Sequence, residues 1–293
     1  MIELAAGAES SAPDYVVIGH VTRDVVAGGY VVGGTVTYAG LTAAALGRRV
    51  GVVTSASSEL DLNVALPGLA SRVKPAAATT TFENRYHDGR RTQWVRAIAA
   101  SLEPELIPPV WRYSPIVHLA PLVDELNSDI LKVLSHVQLL GVTPQGWLRR
   151  WDANGIVSSR PWDEAELILP RVGATILSEE DVGRNWEILR RYARLTPILA
   201  VTQGANGCTV FENGKGWHVP AFPVVEVDAT GAGDVFAAAF LIRLLEDGNP
   251  VAAARYANCV ASFAVEAIGV TGIPSSQQVR ERLNDHRPVI AAE

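Results

Sequence analysis

Six short runs of aliphatic and β-branched residues set the first limit on this chain: YVVIG (15–19), VGVVTS (50–55), PIVHLA (115–120), VQLLGV (137–142), ATILS (174–178) and ILAVTQG (198–204). Most are apolar on both faces, the pattern of strands in a parallel sheet covered by helices on either side. Helix-like segments such as TAAALGRR, NSDILKVLSHV and DVGRNWEILRRYARL separate them. Strands and helices in alternation predict an α/β fold with a mainly parallel central sheet flanked by helices. The 293 residues show no internal repeat and no low-complexity linker, so one main domain is expected over 14–293, after a mobile N-terminal stretch 1–13.

Two stretches break the alternation. VVAGGYVVGG (25–34) and TTTFENRYHDGRRTQWVRAIA (79–99) have the period-two polarity of strands, and Asp88-Gly89 in the second is a tight-hairpin signal. Together they read as a small β-sheet lid; two edge hairpins without a special role are the plainer alternative. A further hairpin, GCTVFENGKGWHVPAF, turns at Asn213-Gly214.

Composition narrows the function by exclusion. The net charge is −6, and no Lys/Arg cluster offers a footprint for nucleic acid or an anionic membrane. The longest apolar run is stopped by Arg243, Glu246 and Asp247, well short of a membrane span, and the start lacks the features of a signal peptide. Cys208 and Cys259 form no CxxC and suit buried thiols in a reducing cytoplasm. A soluble, cytoplasmic protein is expected. There is no GxxxxGK[ST] loop and no GxSxG elbow, and GAGDVF departs from GxGxxG at Phe236. The six histidines lack metal-ligand spacing, and His118 reads as a satisfied core or sheet-edge residue.

One stretch asks for more than packing. In VDATGAGDVFAAAF (227–240) an apolar helix begins with two glycines and carries a carboxylate, Asp234, in its first turn. Gly231 and Gly233 let the backbone turn tightly and come close to a ligand. The helix start presents unpaired N–H groups and the positive end of its dipole to an anion. Asp234 reads either as a capping acid or as a general base beside a phosphate; Asp228 or Thr230 could already serve as the cap.

D-x-T-G-A-G-D followed by an apolar helix resembles the C-terminal signature of the PfkB (ribokinase-like) carbohydrate kinases. Other motifs agree. Gly19-His-Val-Thr-Arg-Asp24 is similar to the family's G-x-x-x-x-D, Gly33-Gly34 to its di-glycine, and Val201-Thr202-Gln203-Gly204-Ala-Asn-Gly207 to the strand and turn that hold ATP. Asn258 matches a position in the adenine-side helix and Gly269 one just beyond its end, with Asn249-Pro250 as that helix's cap. The resemblance covers roughly residues 14–284. It implies an ATP-dependent kinase acting on a hydroxyl of a small polyol or sugar. Asp234 would be the base, and the Gly231, Ala232 and Gly233 amides an anion hole. Thr202, Gly204, Gly207, Thr230 and Asn258 would lie on the ATP side, and Mg²⁺ would bridge the phosphates.

Two departures matter. The family's N-x-x-E reads Ser178-Glu179-Glu180-Asp181 here, leaving Glu180 and Asp181 as metal candidates and a plain helix N-terminus as the alternative. The asparagine expected four residues after the di-glycine is Tyr38, which, with Leu169-Pro-Arg-Val-Gly173 and Val265-Glu-Ala-Ile-Gly269, is similar to the inositol-kinase-like branch. Tyr38 would stack on a cyclic polyol such as myo-inositol or fill the core. Asp24 and Gly34 would hold that substrate, with Arg91, Gln93 and Arg149 as further candidates. The alternatives are a nucleoside or another sugar as acceptor, or a non-catalytic ligand-binding homologue. A monovalent cation such as K⁺ near 225–228 and a homodimer through the lid are further expectations from resemblance.

Overall fold

The chain enters its central sheet with β1 (Tyr15–Ile18) and at once leaves it, because β2 (Thr22–Val26) and β3 (Gly29–Gly33) form a hairpin outside that sheet. It returns through α1 (Thr35–Ala45) to β4 (Val50–Ala56), α2 (Leu62–Ala65) and β5 (Ala70–Pro75), then leaves again as the hairpin β6 (Thr80–His87) and β7 (Arg90–Ala97). β8 (Ile116–Leu119) and β9 (Leu139–Val142) precede a small hairpin, β10 (Arg149–Trp151) and β11 (Val157–Ser159), and the short α3 (Ala165–Ile168). The remainder is β12 (Ala174–Ser178), α4 (Trp186–Ala193), β13 (Ile198–Thr202), β14 (Cys208–Glu212), β15 (Lys215–Val219), α5 (Ala232–Asp247), α6 (Pro250–Ala264), α7 (Ser276–Asp285) and β16 (Ala291–Ala292). This computed structural model describes residues 11–87, 90–285 and 291–292, without the side chains of 86–87, 90–91 and 291–292.

Ten strands form the central sheet in the order β16-β15-β14-β13-β12-β9-β8-β1-β4-β5. Pairing is parallel from β5 to β13 and antiparallel beyond it. All six strands read from the sequence lie in the parallel part. Their side chains feed two cores, one on each face: α1, α5 and α6 cover Val17, Val52 and Ile176, while Trp111, Trp147 and Trp162 help cover Val16, Val53 and Leu177. The second sheet, ordered β3-β2-β6-β7, is the lid expected from 25–34 and 79–99. Its β2 and β6 run parallel, while both hairpins are antiparallel.

Local chemistry sets several boundaries. Asn213 and Gly214 have φ of 50° and 80°, the positive pair a two-residue hairpin turn requires. Asn249 caps α6 by accepting from the amides of Val251 and Ala252, with Pro250 in the first turn. NSDILKVLSHV does not form the expected α-helix. It makes a short 3₁₀ segment, Ser128–Val133, which suffices to place Ile130 and Leu131 in the core. Ser11 accepts from Arg49 and Pro13 is buried, so ordered chain begins ahead of residue 14, whereas residues 1–10 of the expected mobile start lie outside the described residues. His118 is fully buried between Tyr15 and Thr143, both within hydrogen-bond distance, and burial pushes its imidazole down to about 3. Cys208 and Cys259 are buried free thiols.

Candidate active site

The first turn of α5 lies beside the start of α1, bringing residues far apart in sequence together. Gly231 is its N-cap with φ of 77°, and no side chain caps the helix. A Cβ on Gly231 would stand 2.3 Å from the Tyr38 ring, so glycine is required twice over, by conformation and by space. The Ala232 amide turns back to the Ala229 carbonyl, while the N–H groups of Gly231 and Gly233 have no acceptor among the described residues. Two of the three expected amides are therefore open to an anion, and the turn consumes the third. Asp228 makes its own turn, accepting from the Thr230 amide at 2.9 Å and the Gly269 amide at 3.2 Å. It shapes the loop ahead of the helix without capping it. These bonds outweigh the upward push of burial and hold its carboxyl below the usual range.

Asp234 faces this opening from the same first turn. Its Oδ1 accepts from the Thr35 hydroxyl at 2.7 Å, across 199 residues of sequence. Burial pushes the carboxyl up to about 6; the Thr35 bond and the Arg149 charge pull against that, and the charges of Asp181 and Asp24 add to it. A half-buried carboxylate poised near neutrality beside unpaired amides suits a general base. Thr35, unassigned from sequence, becomes visible only through this contact.

The lid supplies Asp24 from β2. Gly33, opposite Thr22 on β3, has no room for a side chain: a Cβ there would lie 2.3 Å from Asp24 Oδ2. Gly34, at φ 87°, would meet the His20 carbonyl at 2.6 Å. The di-glycine thus lets β3 fold tightly over the lid base and turn into α1. Arg149 stands at the base of the β10–β11 hairpin and acts electrostatically on Asp234. Tyr38 is only 4% exposed, with its ring under Gly231 and its hydroxyl toward Gly269. That geometry is the core-filling alternative and offers no ring face to a substrate. Gln93 is half-buried on β7 and bonds to Asn84; Arg91 pairs with Tyr86 in the lid ladder, its side chain being outside the described residues.

Of the residues expected on the ATP side, Thr202 ends β13 and lies 3.5 Å from the Leu177 carbonyl, near the limit for a hydrogen bond. Gly204 and Gly207 carry φ of 57° and 87° in the following turn, and a Cβ on Gly207 would meet the Val219 carbonyl at 2.2 Å. Asn258 is buried, and its amide nitrogen donates to the carbonyls of Val219 and Pro220 at 3.0 and 3.1 Å. It fastens the end of β15 to α6. Val225, Val227 and Ile268 are 81, 59 and 71% exposed along the segments tied together by Asp228.

The acidic trio divides. Ser178 and Asp181 make a capping box, with Asp181 accepting from the Ser178 amide at 2.9 Å and from the Gln145 side chain at 3.4 Å. Glu180 turns outward to Arg184 at 3.1 Å. Asp181, whose charge acts on Asp234, is the carboxylate on the site's side. No group of three or more His, Cys, Asp or Glu among the described residues forms a ready metal cage. One carboxylate supplemented by donor phosphates still fits Mg²⁺, which is commonly held that way.

Residues 174–277 match the model of the pfkB family carbohydrate kinases. That segment, about a third of the chain, is what resembles this family. Inositol 3-kinase of Zea mays is 34% identical over 132 residues, 44% of this chain and 34% of that protein. Curated relatives are matched over only 22 to 39% of their own lengths. Among solved structures, a pyrophosphate-dependent myo-inositol-1 kinase converted by two substitutions into a myo-inositol-3 kinase superposes with a TM-score of 0.77 at 23% identity, covering 92% of this chain and 99% of that one. Arabidopsis thaliana ribokinase complexed with ribose and ATP gives 0.72 at 19% identity, covering 93% and 99%. The chain therefore has a ribokinase-like fold. No described helix is long and apolar enough to cross a membrane.

Proposed function

We propose that this protein is a kinase that transfers the terminal phosphoryl group of ATP to a hydroxyl of a small polyol or sugar. The observation that carries the reading is Asp234: a base poised near neutrality, held by Thr35, beside the two open amides of Gly231 and Gly233. Asp24 and the lid would orient the acceptor so that its hydroxyl meets Asp234. The base takes the hydroxyl proton as the oxygen attacks phosphorus, and the donor's bridging oxygen leaves. The Gly231 and Gly233 amides and Arg149 would stabilise charge on the transferring group. Bound Mg²⁺ would neutralise donor phosphate charge, with Asp181 as its protein-side carboxylate.

Similarity to an inositol 3-kinase and to a myo-inositol kinase structure supports a cyclic polyol such as myo-inositol as acceptor. The second of these uses pyrophosphate, so the donor needs its own argument. Exposed Val225, Val227 and Ile268 beside the helix start favour ATP, since a nucleoside base would cover apolar surface that pyrophosphate would leave bare. The test is phosphorylation of inositols, sugars and nucleosides with ATP or pyrophosphate, using Asp234→Asn as control. Turnover with ATP that falls by about two to four orders of magnitude in the variant is expected. Ligand binding without turnover for any acceptor would instead indicate a non-catalytic homologue.

A further inference from the structure

We infer that the β10–β11 hairpin positions Arg149, because its tip is bridged to the lid edge and the lid thereby sets where that guanidinium stands; this rests on the kinase reading above. The two strands form a sheet of their own, an arrangement marginal in water without further support. Support comes at both ends. At the root, the Arg160 amide donates to the Leu148 carbonyl at 2.8 Å. Its guanidinium reaches the Trp147 carbonyl at 3.0 Å and Asp124 at 2.9 Å, anchoring the ribbon to the loop after β8. At the tip, Asp152 Oδ1 accepts from the amides of Asn154 and Ile156 at 2.9 and 2.8 Å, which folds a tight turn. The Gly155 carbonyl accepts from the Val95 amide at 2.9 Å, and Ile156 bridges Trp94, so the ribbon continues the lid at its β7 edge. Gly155 has φ of 82°, and a Cβ there would stand 2.3 Å from the Val95 carbonyl oxygen. The bridge needs glycine.

Alternation along β10 puts Arg149 and Trp151 on one face and the exposed Arg150, bonded to Ser158 at 3.4 Å, on the other. Trp151 and its cross-strand partner Val157 pack against Phe82, Val95, Leu122 and Val123, the apolar cluster between lid and main domain. Two residues back on the same face, Arg149 stands opposite Ser159 and acts electrostatically on Asp234. The lid thus holds the ribbon by a side-chain seat and a backbone bridge, and Arg149 lies next to that seat. The same lid carries Asp24 on β2. A shift of the lid against the main domain therefore moves the carboxylate on the acceptor side and the cation on the phosphoryl side together, and a misplacement of about 1 Å is enough to slow a reaction.

The experiment measures kcat and acceptor KM for Gly155→Ala and Trp151→Leu, each alone and combined with Arg149→Gln, with every melting temperature recorded. The substrates are ATP and whichever of myo-inositol, ribose and fructose wild type turns over. Each hairpin variant alone should lower kcat by about tenfold or more. In the Arg149→Gln background the same substitutions should cost less than about twofold further, because the group they displace is already gone. Trp151→Leu removes the seat and leaves the bridge, so the comparison stands even where Gly155→Ala does not fold. Equal losses in both backgrounds would make the hairpin a prop for the lid alone and overturn the inference. Folded hairpin variants with wild-type kcat, or full activity in Arg149→Gln, would overturn it too, and the kinase reading would survive all three results. Wild type without turnover on any alcohol would overturn the kinase reading and this inference with it.

Discussion

At Asp234 the needs of folding and of chemistry conflict. Burial raises its carboxyl from 3.8 to about 6, so the ionised form the proposed reaction needs is the one the native state disfavours. Below pH 4 the group is neutral both folded and unfolded and costs nothing. As pH rises through 6 the native state must hold the charge. The upper bound is about 3 kcal/mol, at about 1.4 kcal/mol per pKa unit, reduced by the solvent reaching this half-buried group. Asp234→Asn is therefore expected to melt a few degrees above wild type at pH 7–8, with the gap closing toward pH 4, while losing about two to four orders of magnitude in kcat. The wild-type rate should rise about tenfold per pH unit below 6 and level above it. Two substitutions should move that acid limb in opposite directions. Thr35→Val removes a bond that stabilises the carboxylate and shifts the limb to higher pH; Asp181→Asn removes a neighbouring negative charge and shifts it lower. Identical limbs in both variants would reject Asp234 as the titrating base.

Within the α5 start, two glycines have different physical reasons. Gly231 cannot be anything else, because its φ of 77° and the Tyr38 ring 2.3 Å from its Cβ position both forbid a side chain. Gly231→Ala should lower the melting temperature and abolish activity together. Gly233 sits inside the helix with ordinary φ and nothing within 4 Å of its Cβ position. Helix propensity alone would favour alanine there by roughly 0.5–1 kcal/mol. Gly233→Ala should thus keep or raise the melting temperature while weakening donor use, read as a higher donor KM or lower kcat. Unchanged kinetics would show that Gly233 is not spared a side chain for the phosphate.

Across the whole molecule, the four passages between main sheet and lid meet at His20. Its amide donates to the buried carboxylate of Glu125, Nε2 reaches the Ala100 carbonyl at 2.9 Å, Nδ1 reaches the Thr80 hydroxyl at 2.8 Å, and its carbonyl abuts Gly34. A carbonyl only accepts, so Nε2 carries the proton; Thr80 accepts from the Ala99 amide and gives its own proton to Nδ1. Beyond this joint the lid has a small apolar cluster, Phe82 and Val95 with Leu122 and Val123, against two large cores in the main domain. Lid amides should therefore exchange hydrogen faster than those of β1, β8 and β9, and slow when acceptor binds. His20→Ala should quicken lid exchange and raise the acceptor KM more than the donor KM. Equal effects on both would mean that His20 supports only the main domain.

The sequence by itself determined the order of elements, the parallel sheet, the lid hairpins and the helix start with its carboxylate, because each is written in local periodicity, turn residues and close spacing. β5 passed unread, since ASRVKP lies half-exposed at the sheet edge and shows no continuous apolar run. NSDILKVLSHV carried helical spacing, yet one short 3₁₀ segment was enough to bury its apolar residues. Only tertiary structure decided what each site residue does. Tyr38 became the floor under Gly231, Asn258 a fastening of β15 to α6, Glu180 a surface partner of Arg184, and Thr35 the donor to Asp234. These roles depend on contacts between distant segments, and no local pattern records which side chain a neighbouring strand or helix will bring within hydrogen-bonding reach.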